Sequence, residues 1–135
     1  MRFVLINHGN IEYLNHFIDN MGSSSKYFRY YDTRDPYKVI SDHVVTLLLF
    51  DGGYIGYGHL DREQDIVWLG ICVKEGFQGR GYGKEIMKEL TESYDDDISL
   101  TVDKDNIGAI KLYEKFCFEQ VEDKGSIIRM VRRAK

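Results

Sequence analysis

The amino-acid sequence predicts a mixed α/β fold: one twisted, mostly antiparallel sheet of six to seven strands with helices on both faces. Three observations lead there. Apolar patterns along the chain read strand, helix, three strands, helix, strand, helix and two strands. The three middle strands are separated only by tight turns, which makes them an antiparallel meander. The last of these three, "DIVWLGICV" at 65–73, is apolar on both faces, as a strand inside a sheet must be.

Each element has a local reason. "FVLI" at 3–6 is rich in β-formers, and Ile11, Leu14, Phe17 and Ile18 then recur at helical spacing up to Gly22. The polar, aromatic stretch 22–40 reads as a loop with a short helix after Pro36. "HVVTLLLF", "DGG" and "YIGYGHL" form a hairpin, and "DREQ" at 61–64 is the next turn. From Gly81 to about Ser93, Ile86, Met87 and Leu90 define the apolar face of a helix whose other face carries Lys84, Glu85, Lys88 and Glu89. "YDDD" is a solvated loop and "ISLTV" a short strand. Ala109, Leu112, Tyr113 and Phe116 mark another amphipathic helix, and "FEQV" and "SIIRMV" close the chain as a hairpin around "EDKG". No repeat or linker interrupts residues 1–135, so a single domain is expected.

Composition narrows the function classes. With 43% apolar and 30% charged residues the chain is of the globular kind. Its start lacks the pattern of a secretory signal, and no stretch approaches the roughly 18 apolar residues of a membrane span. A cytoplasmic protein without a membrane partner is expected. A net charge of −4 argues against nucleic acid as a partner. Cys72 and Cys117 lie far apart with no CxxC, so both are expected to be reduced and packed, and no metal site is indicated.

The chemistry concentrates in "VKEGFQGRGYGKEIMKEL", residues 73–90, where Gly79, Gly81 and Gly83 alternate between a strand and a helix. A helix N-terminus presents unpaired N–H groups and a favourable dipole for an anion, and glycines let a phosphate approach the backbone. Arg80 and Lys84 are placed to add charge-assisted contacts. The pattern is neither the GxxxxGK[ST] of a P-loop nor the GxGxxG of a dinucleotide fold. The alternative is that the glycines serve only a tight turn and close helix packing.

Gln78-Gly79-Arg80-Gly81-Tyr82-Gly83 resembles the Q/R-x-x-G-x-G/A loop of the GNAT superfamily of acetyl-CoA-dependent N-acetyltransferases. "NIGAIKLYEKFCF" at 106–118 is similar to that family's N-x-x-A-x-x-L-Y-x-x-x-G-F segment. The resemblance implies the GNAT-like fold and acetyl-CoA as cosubstrate. It implies that backbone amides of Gln78, Gly79, Arg80, Gly81, Tyr82, Gly83 and Lys84 hold the pyrophosphate. By the same resemblance Ile71 and Val73 bond the pantetheine arm and acetyl carbonyl, Asn106 contacts the pantetheine or fixes its loop, and Tyr113 protonates the departing thiolate. Tyr113 otherwise simply packs in the core. Cys117 departs from the pattern, since it stands where the family usually has a glycine serving as a left-handed cap.

An alkylammonium must lose a proton before it attacks, so a base or a water path is needed. Asp65, placed by strand alternation on the side of Val67 and Leu69, is one candidate and His59 the other; Glu63 reads as a turn residue. The cluster Tyr27, Phe28, Arg29, Tyr30, Tyr31 and Arg34, with Tyr57 and Trp68, suits a sugar ring or base carrying a phosphate or carboxylate, or else is core and rim. The resulting expectation is acetyl transfer to the primary amine of a small molecule, such as an amino sugar or sugar nucleotide, by direct attack in a ternary complex. A protein N-terminus, a polyamine, or a non-catalytic acyl-CoA-binding module are the alternatives. Related folds often dimerise, which leaves a homodimer open.

Overall fold

A computed structural model describes all residues, 1–135. Seven strands form one sheet: β1 (Arg2–Leu5), β2 (His43–Phe50), β3 (Tyr54–Glu63), β4 (Ile66–Val73), β5 (Ile98–Asp103), β6 (Glu119–Asp123) and β7 (Ile127–Arg132), in the spatial order β1-β2-β3-β4-β5-β7-β6. Every neighbouring pair is antiparallel except β4 and β5. The helices are α1 (Ile11–Asp19), α2 (Pro36–Val39), α3 (Tyr82–Glu92) and α4 (Ile107–Lys115), with short 3-10 turns between α1 and β2.

Both faces of the sheet are covered, which explains the unbroken apolar run in β4. Val67 and Leu69 join Ile86, Met87 and Leu90 of α3 in the larger core, whereas Cys72 turns to the other face against Leu14, Phe17 and Met21. Alternation along one strand thus divides it between two cores. The helix starts follow the residues placed there: Asp35 caps α2 by accepting from the N–H of Tyr37, with Pro36 as first helical residue, and Asn106 caps α4 by accepting from that of Ala109.

One boundary lies away from its expected place. "DREQ" is not the turn after β3; the strand runs on through Asp61 and Arg62 to Glu63. Gln64 and Asp65 make the turn, with φ of 51° and 65°, the positive pair of a type I′ hairpin.

The end of α4 answers the question raised by Cys117. It adopts the left-handed conformation that glycine would, at φ 69°. Cys117 N–H bonds the Glu114 carbonyl and Phe118 N–H bonds the Tyr113 carbonyl, both at 3.1 Å, closing a Schellman cap. The accompanying apolar contact is Phe118 on Tyr113, ring centroids 6.1 Å apart. Cys72 is buried, but Cys117 is exposed rather than packed, contrary to expectation. A left-handed non-glycine residue costs about 1–2 kcal/mol, partly offset because glycine is freer in the unfolded chain. Cys117→Gly is therefore expected to stabilise the fold by up to about 1 kcal/mol. Thermal denaturation checks this, and a lowered Tm would refute it.

Candidate active site

The site begins where the sheet comes apart. β4 and β5 are in register only at Trp68 and Ser99 and diverge beyond that point. Lys74 N–H donates to the Ile55 carbonyl at 2.8 Å. Because bonding partners alternate along a strand, Cys72 and Gly70 also face β3, while the backbone groups of Ile71 and Val73 turn into the gap. Val73 carbonyl there accepts from the Ser24 hydroxyl at 2.6 Å, and the Gln78 side-chain amide donates to the same hydroxyl at 3.0 Å. The gap opens into a cleft of about 1200 Å³ that extends from the glycine loop to Trp68 and Tyr30.

One wall is the loop ahead of α3. Gly81 stands at the helix N-cap with φ 88° and no side chain caps the helix. No acceptor within the chain meets the N–H groups from Gln78 through Lys84. A Cβ built on Gly79 or Gly81 would touch nothing within 4 Å, so internal packing does not require these two glycines. Gly83 differs, since its Cβ would press on Leu112 Cδ2 at 3.2 Å, where α3 meets α4. Bare, unpaired amides at a helix N-terminus fit a pyrophosphate. Gln78, Gly79, Gly81, Tyr82, Gly83, Lys84 and Asn106 all line the cleft. Arg80 instead leans on Phe77, its guanidinium 5.3 Å from the ring centroid.

Tyr113 reaches the cleft from α4. It is buried, and burial pushes its phenol well above the ordinary tyrosine value, so the hydroxyl holds its proton. That hydroxyl bonds nothing in the chain. Cys72 is no nucleophile: burial pushes its thiol up to about 12, and its sulfur lies 3.6 Å from that of Met21.

Of the base candidates, His59 lines the cleft and Asp65 does not. Asp65 sits on the exposed hairpin turn, two residues beyond the end of β3, so the strand alternation invoked for it does not apply. His59 is 2% exposed, with Nδ1 2.7 Å from the Tyr57 hydroxyl and Nε2 without a partner in the chain. The Nε2 edge lies against Gly70, where an added Cβ would come within 2.6 Å of Nε2 and Cε1. Glu63 also borders the cleft, from the end of β3.

Around His59 lies a polar network that only partly follows from the sequence. Tyr57 and Tyr31 hydroxyls are 2.6 Å apart. Tyr30 donates to Asp61 Oδ2 at 2.7 Å, which leaves His43 Nε2–H to donate to the Tyr30 oxygen at 2.8 Å and Thr46 to donate to His43 Nδ1 at 2.7 Å. Asp61, His43 and Ser24 were not among the expected site residues. The signal for Asp61 was two-residue alternation with His59, which the polar run "DREQ" masked. Of the expected acceptor residues, Tyr30, Arg29 and Trp68 line the cleft, whereas Tyr31 stands behind it on Tyr57. Arg29 is already forked onto Asp103 at 2.9 and 3.0 Å.

Burial holds both histidines below the usual imidazole range, His43 down to about 4 and His59 in the same direction. Asp61, Asp42, Tyr30 and Arg34 face His43, and Tyr57, Arg34 and His43 itself face His59. A depressed folded-state value means that the unfolded chain takes up protons first. Stability from these two rings is thus present above about pH 6.5 and is lost as pH falls toward about 4. Urea midpoints across this range should fall with pH, and His43→Gln should flatten the fall; a midpoint independent of pH would contradict it.

Comparison with known proteins agrees with this geometry. Residues 12–118 match the Acetyltransferase (GNAT) family. The L-amino acid N-acetyltransferase AaaT of Escherichia coli (strain K12) is 37% identical over 79 residues, covering 51% of this chain and 49% of that protein. The chain thus matches about half the length of that relative. An acetyltransferase of the GNAT family from Streptococcus pneumoniae has the same fold at TM-score 0.80, with 17% identity over 99% of both chains. So does the paia N-acetyltransferase of Thermoplasma acidophilum, solved in complex with coenzyme A, at TM-score 0.71 and 18% identity over 98% of this chain and 99% of that one. No helix is long and apolar enough to cross a membrane. With a split β4–β5 sheet, an uncapped glycine loop at α3 and a family match spanning most of its length, this chain belongs to the acetyltransferase (GNAT) family, which uses acetyl-CoA.

Proposed function

We propose that this protein transfers an acetyl group to the primary amine of a small molecule by direct attack in a ternary complex. The observation that carries the reading is the single cleft joining the unpaired amides of Gln78–Lys84 to His59 Nε2 and Tyr113. Acetyl-CoA supplies the activated acyl group as a thioester. The amides of the loop would hold its pyrophosphate, and the outward-turned backbone groups of Ile71 and Val73 its pantetheine and acyl oxygen. Asn106 borders the same wall as the cap of α4.

The chain's own groups divide the proton work. His59 is kept neutral by burial, and in the tautomer that donates Nδ1–H to Tyr57, with the Tyr57 hydroxyl donating to Tyr31, the Nε2 lone pair is free to take a proton from the acceptor amine. Tyr113, kept protonated by burial, holds the proton required by a leaving thiolate. No covalent acyl-enzyme is needed, and Cys72 offers no thiolate for one.

Calorimetric titration with acetyl-CoA, against ATP and NAD as controls, tests the donor; thiol release over a panel of amines tests transfer. The panel includes amino sugars and, prompted by the Escherichia coli relative, α-amino acids. Gly81→Val is expected to weaken acetyl-CoA binding by at least about tenfold, because a branched side chain is strained at φ 88° and fills the approach to the amides. Unchanged affinity in the folded variant would remove the loop from the donor site. Binding without turnover on any amine would favour a non-catalytic acyl-CoA-binding module.

A further inference from the structure

Asp61 is 4% exposed, yet no lysine, arginine or histidine nitrogen lies within 4 Å of its carboxylate. Oδ2 accepts from Tyr30, while Oδ1 has no partner in the chain. Oδ1 is not sealed off, because Asp61 lines the cleft and leaves no fully buried orphan oxygen. A carboxylate oxygen that faces the cleft with no partner in the chain is open to a cationic group entering there. No neighbouring arginine pairs with Asp61, and Arg129 lies over Trp68 with its Nη2 on the Ser99 hydroxyl. Arg29 is forked onto Asp103, and Arg34 lies 4.2 Å over the Tyr30 ring with an N–H on the Tyr30 carbonyl.

Register gives this oxygen a place along the acceptor. His59 pairs with Gly70 and Asp61 with Trp68, so Asp61 is two residues farther from Ile71 and Val73, about 6.8 Å along the strand. An amine at His59 Nε2 would extend its far end between Tyr30 and Trp68 toward Asp61. Both rings on that path already take a cation, Arg34 at 4.2 Å from the Tyr30 centroid and Arg129 at 5.2 Å from that of Trp68.

We propose that the acceptor carries a second cationic nitrogen, held by Asp61 Oδ1 between Tyr30 and Trp68, so that diamines are preferred over amines ending in a neutral or carboxylate group. The inference rests on the acetyl-transfer reading above and adds a substrate class to it. The test compares 1,4-diaminobutane, 1-aminobutane and 4-aminobutanoate, which share the reacting nitrogen and differ at the far end. With saturating acetyl-CoA, kcat/KM for the diamine should exceed both others by about 30-fold or more. Asp61→Asn should erase that preference mainly through KM, with calorimetric affinity for acetyl-CoA unchanged. Equal use of diamine and monoamine, a preference for the aminobutanoate, or a preference that survives Asp61→Asn would each overturn the inference while leaving acetyl transfer standing. Binding of acetyl-CoA with no transfer to any amine would overturn both.

Discussion

Replacing His59 with glutamine is expected to lower kcat by about 10²–10⁴-fold, the usual worth of a positioned general base, with affinity for acetyl-CoA unchanged. Glutamine is of similar reach and can still bond the Tyr57 hydroxyl, so the variant removes the lone pair more than the structure around it. The pH profile separates these roles. Burial keeps the imidazole below its ordinary value, so wild-type kcat/KM should bend downward only on the acid side of about pH 6.5, and that limb should vanish in the variant. Steady-state rates from pH 5 to 8, with calorimetry on the same samples, check both parts. A kcat that survives the change would hand the amine's proton to water instead.

Tyr113→Phe should reduce kcat by about 10²-fold or more while leaving acetyl-CoA affinity and Tm nearly untouched. Stability should hold because the hydroxyl has no partner in the chain to lose, and the ring still packs on Phe118 across the Schellman cap. Two readings of this tyrosine, core residue and acid, therefore come apart in one variant. If it only packs, rate and stability both stay; if it donates a proton to the leaving sulfur, rate alone falls. A drop in Tm matching the drop in activity would count against the acid role.

Much of this architecture was legible in the chain because local and global signals agree. The meander, the two amphipathic helices and the glycine loop each follow from spacing alone, and the loop lines the cleft together with Asn106. The wall around His59 was harder for a specific reason. Asp61, Arg62, Glu63 and Gln64 form a run polar enough to read as a turn, yet the first three continue β3, and only Gln64 and Asp65 reverse the chain. That two-residue shift exchanged a buried carboxylate for an exposed one as candidate. His43 was invisible for another reason: its role depends on β2 lying beside β3, a non-local pairing that brings it to Tyr30. The left-handed turn at Cys117 was anticipated as a conflict between residue and cap, and the cap prevails because it closes two hydrogen bonds and a ring contact.

The missing side chain at Gly70 constrains how this protein can change. Since even a methyl group there would meet the His59 ring at 2.6 Å, these two positions are not free to vary one at a time. A lineage passing from glycine to alanine at 70 would have to surrender the imidazole at 59 first, crossing an intermediate that lacks the proposed base. The reverse order starts by displacing a buried ring and breaking its bond to Tyr57. Either route descends before it climbs, so position 70 is held to glycine by a neighbour across the strand pair for as long as the histidine remains useful.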